Sequence, residues 1–187
     1  MAKLLNLNFR SDFLYEPIVN CNTDYTVLGN LQAIIKCCQE LKDMDFINGN
    51  DMWFDDDNIK FLAKNISPNI VRLNLNNHDV NNDNVKILLR CNKIKVLILE
   101  ATSNGSDDSL KSIRQYLNHT LEEFSMAFYG FLGFTGVLEL KSMPRLKILN
   151  LYCISKEDDK EVQNLRQHLP HLMIRTFFDR IGQIIIR

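Results

Sequence analysis

One pattern constrains the fold of this sequence more than any other: an apolar residue, two of any kind, an apolar residue, one of any kind, and another apolar residue. The copies are Leu4-x-x-Leu7-x-Phe9, Leu41-x-x-Met44-x-Phe46, Ile70-x-x-Leu73-x-Leu75, Ile94-x-x-Leu97-x-Leu99, Leu121-x-x-Phe124-x-Met126 and Leu146-x-x-Leu149-x-Leu151, with a partial seventh from Leu172. Their first positions stand 37, 29, 24, 27, 25 and 26 residues apart. After the long first interval, this falls in the period of about 20–29 residues that marks a leucine-rich repeat. Side chains two apart in a strand point to the same side. Leu73 with Leu75, Leu97 with Leu99, and Leu149 with Leu151 are therefore expected to enter one shared interior.

Between these segments, apolar residues recur three or four apart behind an acidic or amidic start: Ile59 and Leu62 behind Asp57, Val85 and Leu88 behind Asp83, Leu110 and Ile113 behind Asp108, Val162 and Leu165 behind Asp159. That is helical spacing, opened by side chains whose oxygens can cap an unpaired backbone N–H. Strand then helix, repeated, predicts an α/β leucine-rich-repeat solenoid of about six to seven repeats. Its parallel β-sheet would line a concave face and its helices a convex one, in a single domain spanning 1–187. The fifth unit, Gly133 to Leu140, is the weakest copy, because two glycines loosen its helix start.

The ends depart from the pattern. The long first interval predicts a loop insertion at about 11–24. The tail, about 175–187, carries Phe177, Phe178, Ile181, Ile184, Ile185 and Ile186, and is expected to pack back on the solenoid. The early Leu4, Leu5, Leu7 and Phe9 leave a first repeat without a polar cap, so another segment is expected to cover it.

Composition narrows the function classes. Lys plus Arg number 22 against 23 Asp plus Glu, a net charge of −1. Without a positive excess to displace counterions, neither nucleic acid nor an anionic membrane is an expected partner. Nowhere do 18 apolar residues run together, and no secretion signal opens the chain, which predicts an intracellular protein, cytoplasmic or nuclear. Three Asn-x-Ser/Thr triplets, at Asn65, Asn104 and Asn118, are no more than an asparagine-rich composition produces.

The five cysteines, Cys21, Cys37, Cys38, Cys91 and Cys153, include no Cys-x-x-Cys pair and read as free thiols. Cys38 and Cys91 each stand three residues before a motif, a place that suits small buried side chains. Asp51, Asp55, Asp56 and Asp57 could in principle hold a cation, but helix capping accounts for acidic residues at that place in most units. His168 and His171 flank Leu169-Pro170, a poor spacing for two metal ligands on one helix. No nucleophile elbow, phosphate-binding loop or zinc-protease motif is present. The sequence therefore predicts no catalytic residues, no metal, no cofactor and no enzyme activity.

The repeat length, the cysteines ahead of the strand motif, and Leu62-Ala63-Lys64-Asn65 followed by Val71-Arg72-Leu73-Asn74-Leu75 resemble the cysteine-containing repeats of the F-box/leucine-rich-repeat family. Met143-Pro144-Arg145-Leu146-Lys147, then Leu165, Leu169-Pro170-His171-Leu172 and a tail, resemble the last repeat and tail of such proteins. The resemblance covers roughly residues 38 to 180. It implies the substrate-recognition part of an SCF-type, cullin-RING ubiquitin ligase, acting in protein degradation by holding a protein substrate. No F-box of the expected length, with its early Leu-Pro pair, precedes Leu4. A ligase adaptor would then be a partner only through an F-box outside this chain. The alternative is a leucine-rich-repeat scaffold or inhibitor with no ligase link.

On a concave sheet, the binding residues are the third, fifth and seventh of each motif, between the buried ones. After Asp43, Asp45 and Ile47 these are Arg72, Asn74 and Asn76; Val96, Ile98 and Glu100; Glu123, Ser125 and Ala127; and Ile148, Asn150 and Tyr152. Their mixture of apolar groups and isolated charges suits a protein partner. Phe128, Tyr129, Phe131 and Phe134 form an aromatic cluster that could serve as core or as a binding edge.

Overall fold

The computed structural model describes residues 6–10, 35, 39–47, 56–76, 80–99, 106–127, 134–152 and 159–177. Strands β1 (Asn6–Arg10), β2 (Asp43–Ile47), β3 (Arg72–Asn74), β4 (Val96–Leu99), β5 (Glu123–Ala127), β6 (Ile148–Tyr152) and β7 (Met173–Phe177) form one sheet. Every neighbouring pair is parallel, and the spatial order is the chain order. The helices are α1 (Asp56–Asn65), α2 (Asn82–Leu88), α3 (Asp107–Leu117), α4 (Phe134–Leu138) and α5 (Asp159–His168), each packed on the next. The chain is thus an α/β fold of two layers, a parallel sheet and a row of helices.

The register follows the motif. Leu7, Met44, Leu73, Leu97, Phe124, Leu149 and Ile174 face one another across the seven strands as successive Cα partners. Met44, Leu73, Leu97, Phe124, Leu149 and Ile174 are all buried, as are the first motif residues Leu41, Ile70, Ile94, Leu121, Leu146 and Leu172. They share one apolar cluster with Ile59 and Leu62 of α1, Val85 and Leu88 of α2, Leu110 and Ile113 of α3, and Val162 and Leu165 of α5. The core therefore lies between the layers. Strands pair with neighbouring strands and helices pack on neighbouring helices around one shared cluster, so stability is built at the junctions.

Two backbone devices recur at those junctions. One carbonyl accepts from two successive N–H groups of the next unit: Lys42 from Val71 and Arg72, Val71 from Lys95 and Val96, Lys95 from Glu122 and Glu123, Glu122 from Lys147 and Ile148. The second is a tight turn in which the first motif residue donates to the carbonyl three residues back, Ile70 to Ser67, Ile94 to Cys91, Leu146 to Met143 and Leu172 to Leu169. All four acceptor residues are buried, which explains why a cysteine fits there. The Cys91 thiol donates to the carbonyl of its counterpart Ser67 at 3.5 Å, and the Ser67 hydroxyl donates to Gln39 O at 2.6 Å. Burial pushes the Cys91 thiol up to about 11, so it is a neutral packing group at physiological pH. Cys38 lies outside the described residues.

Helix starts differ in detail from the sequence expectation. The caps are Asn81, whose side chain accepts from the N–H groups of Asp83 and Asn84, and Ser106, which accepts from Asp108 N. Asp83 and Asp108 sit two residues inside the cap, in the first turn, where their charge meets the positive end of the helix. Asn82 then ties α2 to α3. Its Nδ2 donates to Ser106 Oγ at 2.8 Å, and its Oδ1 accepts from Ser106 N at 3.3 Å and from the Ser109 hydroxyl.

The fifth unit is short. Its five-residue α4 runs into a 3-10 turn, Glu139–Ser142. A Cβ added at Gly136 would stand 2.5 Å from Asp107 Cγ on α3, and closer still to its Oδ1. Alanine at a helical glycine ordinarily gains about 1 kcal/mol, yet here the carboxylate blocks it. Gly136→Ala is expected to destabilise by about 1–3 kcal/mol in urea unfolding. With Asp107→Ala beside it, the same change should become neutral or stabilising.

The region of the predicted insertion, the bulk of the tail beyond Phe177, and Phe128, Tyr129 and Phe131 lie outside the described residues. The first residues assigned to the tail, from Arg175 to Phe177, belong to β7. Among the described residues, no helix is long and apolar enough to cross a membrane.

Candidate protein-binding face

The strand side chains that alternate with the core line the sheet face opposite the helices, and the register sorts them into rows. The first row is Asp43, Arg72, Val96, Glu123, Ile148 and Met173. All but Met173 are half-buried, and Met173 is 56% exposed. The second row is Asp45, Asn74, Ile98, Ser125, Asn150 and Arg175. In the third row, Asn76 and Phe177 are half-buried. Glu100 and the side chains of Ala127 and Tyr152 lie outside the described residues.

The second row corrects the expectation that every alternating side chain is open to a partner. Asn74, Ser125 and Asn150 are 6%, 2% and 5% exposed. Their polar groups are engaged sideways, between strands. Asn74 Nδ2 donates to Asp45 Oδ1 at 2.6 Å, and Asn74 Oδ1 accepts from Asn76 N at 3.0 Å. Asn150 Nδ2 donates to Glu123 Oε1 at 3.0 Å and to Ser125 Oγ at 2.8 Å. The carbonyl oxygen of that amide, Asn150 Oδ1, is buried and accepts from none of the described residues. Among apolar groups of these two rows, accessible contact is left to Val96, Ile98, Ile148 and Met173, with Glu123 between Val96 and Ile148.

The charge at the β2–β3 end is organised around Arg72. Its Nη1 donates to Asp45 Oδ2 at 2.8 Å and lies 3.5 Å from Asp43 Oδ1. Burial alone would lower the guanidinium pKa; the two carboxylates outweigh that and raise it, so Arg72 is a fixed cation. Asp45, with a side chain only 14% exposed, accepts from both Arg72 and Asn74. This cluster was legible as residue types, but its pairing needs the register of strands about 27 residues apart.

A second charge feature lies where the strands begin. Glu122 sits between Lys147 and Lys95, at 3.0 and 3.2 Å. Lys147 and then Lys95 hold its carboxyl below the usual carboxylate range. A carboxylate whose folded pKa is depressed stabilises the fold above its unfolded pKa, and that contribution is lost as pH falls through the folded value. The stability gap between the native protein and Glu122→Gln, present at neutral pH, should close well below about pH 4. Urea midpoints across that range measure it.

The other candidates do not assemble into a centre. Asp57 is exposed at the start of α1, and Asp51 and Asp55 lie outside the described residues. His168 and His171 are exposed, with His168 Nδ1 2.8 Å from the Asn164 carbonyl. Among the described residues, no group of three His, Cys, Asp or Glu side chains gathers where it could hold a metal ion. No protein-family model matches the chain, and no curated protein matches it significantly.

Proposed function

We propose that the chain is a leucine-rich-repeat solenoid that binds a protein partner on the sheet face opposite its helices. We further propose that it serves as the substrate-recognition part of a cullin-RING ubiquitin ligase. The observation that carries the first reading is the set of half-buried apolar groups Val96, Ile98 and Ile148, with exposed Met173 beyond them, Glu123 between Val96 and Ile148, and Asp43 and Arg72 toward β2. Apolar groups interleaved with isolated charges suit a protein partner. The ligase reading is supported by the resemblance of the repeats, and of the segment from Met143 to Leu172, to F-box/leucine-rich-repeat proteins.

Affinity purification with mass spectrometry tests both parts, comparing the native protein with Val96→Glu/Ile98→Glu/Ile148→Glu. A partner recovered by the native protein and lost by the variant supports the face. Equal recovery overturns it. For the ligase reading the bait is the gene product extended to any upstream F-box: a cullin and its adaptor recovered with it support that reading, and a partner recovered without them leaves a non-ligase scaffold.

A further inference from the structure

All seven strands are parallel, so the loops leading into them emerge along one edge of the sheet and the loops leaving them along the other. The helices run back between these edges. Each therefore starts on the strand-leaving rim and ends on the strand-leading one. Helix ends have opposite charge preferences, acidic at the start and basic at the finish. Where the described helices follow those preferences, they sort charge between the two rims; α4 has neither an acidic first turn nor a basic last turn. Asp83, Asp107 and Asp108 open their helices on one rim. On the other stand Lys42, Lys64, Arg90, Lys93 and Arg145, all exposed, with one exposed carboxylate, Glu40, beside Lys42. A net charge of −1 conceals this division.

We propose that the basic rim is a second docking surface, separate from the sheet face, for an acidic polypeptide segment. Three observations carry it. Lys42, Lys64, Arg90 and Arg145 have no ion-pair partner among the described residues, and Lys93 Nζ donates only to a neutral amide, Asn69 Oδ1, at 2.7 Å. The rim also has relief: an open cleft of about 430 Å³ lies between the ends of α1 and α2, with Lys64 and Arg90 on its walls and Ala63, Ile66 and Pro68 among its lining. Finally, the rim already holds one carboxylate, Glu122, clamped between two lysines at 3.0 and 3.2 Å.

The helix C-termini oppose an anion with about half an elementary charge each. The full charges of Lys64, Arg90 and Lys93 exceed that around the cleft. A polypeptide fits better than nucleic acid because the acidic rim is close. The 11 residues of α3 span only about 16 Å, so a broad polyanion would overlie Asp83 and Asp108 as well. A narrow extended segment can follow one rim and avoid the other.

Fluorescence anisotropy with a labelled peptide of alternating glutamate and glycine tests the proposal, at low and physiological salt. The expected result is saturable binding that weakens with salt and falls at least about tenfold in Lys64→Glu/Arg90→Glu/Arg145→Glu. The neutral variant Lys64→Gln/Arg90→Gln/Arg145→Gln should give an intermediate loss, with circular dichroism verifying that both remain folded. Asp83→Lys/Asp108→Lys and Val96→Glu/Ile98→Glu/Ile148→Glu should retain the peptide. Retention by the latter separates this rim from the sheet face, whose reading stands or falls independently. Binding unchanged by the reversal variant overturns the proposal. So does tighter binding of a DNA oligonucleotide than of the peptide, or salt-sensitive self-association of the chain with no peptide bound.

Discussion

Replacing Phe124 by alanine is expected to remove about 3–5 kcal/mol of stability, a large share of the 5–15 kcal/mol typical of a folded domain. Phe124, the second residue of β5, is 1% exposed, with Leu97 and Leu149 as its register partners on either side. Its ring belongs to two junctions at once, and the backbone on both sides is fixed by sheet hydrogen bonds, so little can move in to fill the space. Urea unfolding measures the loss. Ile98→Ala, one strand away on the half-exposed face, should cost well under half as much. Near-equal costs for the two, or a loss below about 1 kcal/mol for Phe124→Ala, would contradict the assignment of Phe124 to the core.

The next largest effect is expected at Asp45. Asp45→Ala withdraws the acceptor shared by Arg72 and Asn74. The Asn74 amide, in a residue 6% exposed, is then left with a buried donor, and Arg72 keeps only Asp43 at 3.5 Å. A lost hydrogen bond to a charged group, with a stranded buried partner, costs about 1.5–3 kcal/mol. Arg72 is one-third exposed, so screening keeps the value below that of a fully buried pair. Asp45→Asn retains an acceptor and should lose less. Adding Asn74→Leu to Asp45→Ala should return part of the loss, since no amide is then stranded. Additive single-variant effects in this cycle would show that Asp45 and Asn74 are not coupled.

The apolar half of the fold was legible because it is written at fixed spacing. Leu73, Leu97 and Leu149 fall in register with one another, and the strands follow in chain order, as the motif alone predicted. The expected caps fall two residues late because Asp83 and Asp108 have the same kind of accepting oxygen as Asn81 and Ser106; which one caps depends on where the backbone turns, not on residue type. The candidate face was legible as a set of positions and not as a surface. Alternation places Asn74, Ser125 and Asn150 on that face, but they are buried and bonded sideways, Asn74 to Asp45 and Asn150 to Glu123 and Ser125, between strands too far apart in sequence for local pattern to report. The basic rim escaped for a different reason: summing charge over the chain erases the direction in which the helices run.

Strands that touch only the preceding and following strand have a further consequence. A unit could be inserted or deleted by joining the same carbonyl-to-double-amide link, as between Lys95 and Glu122–Glu123, without rewiring any other pairing. Each such edit would lengthen or shorten the molecule by about 4.8 Å, so reach along a partner becomes a matter of copy number. Stretched from its two ends, the same architecture should part at one seam at a time.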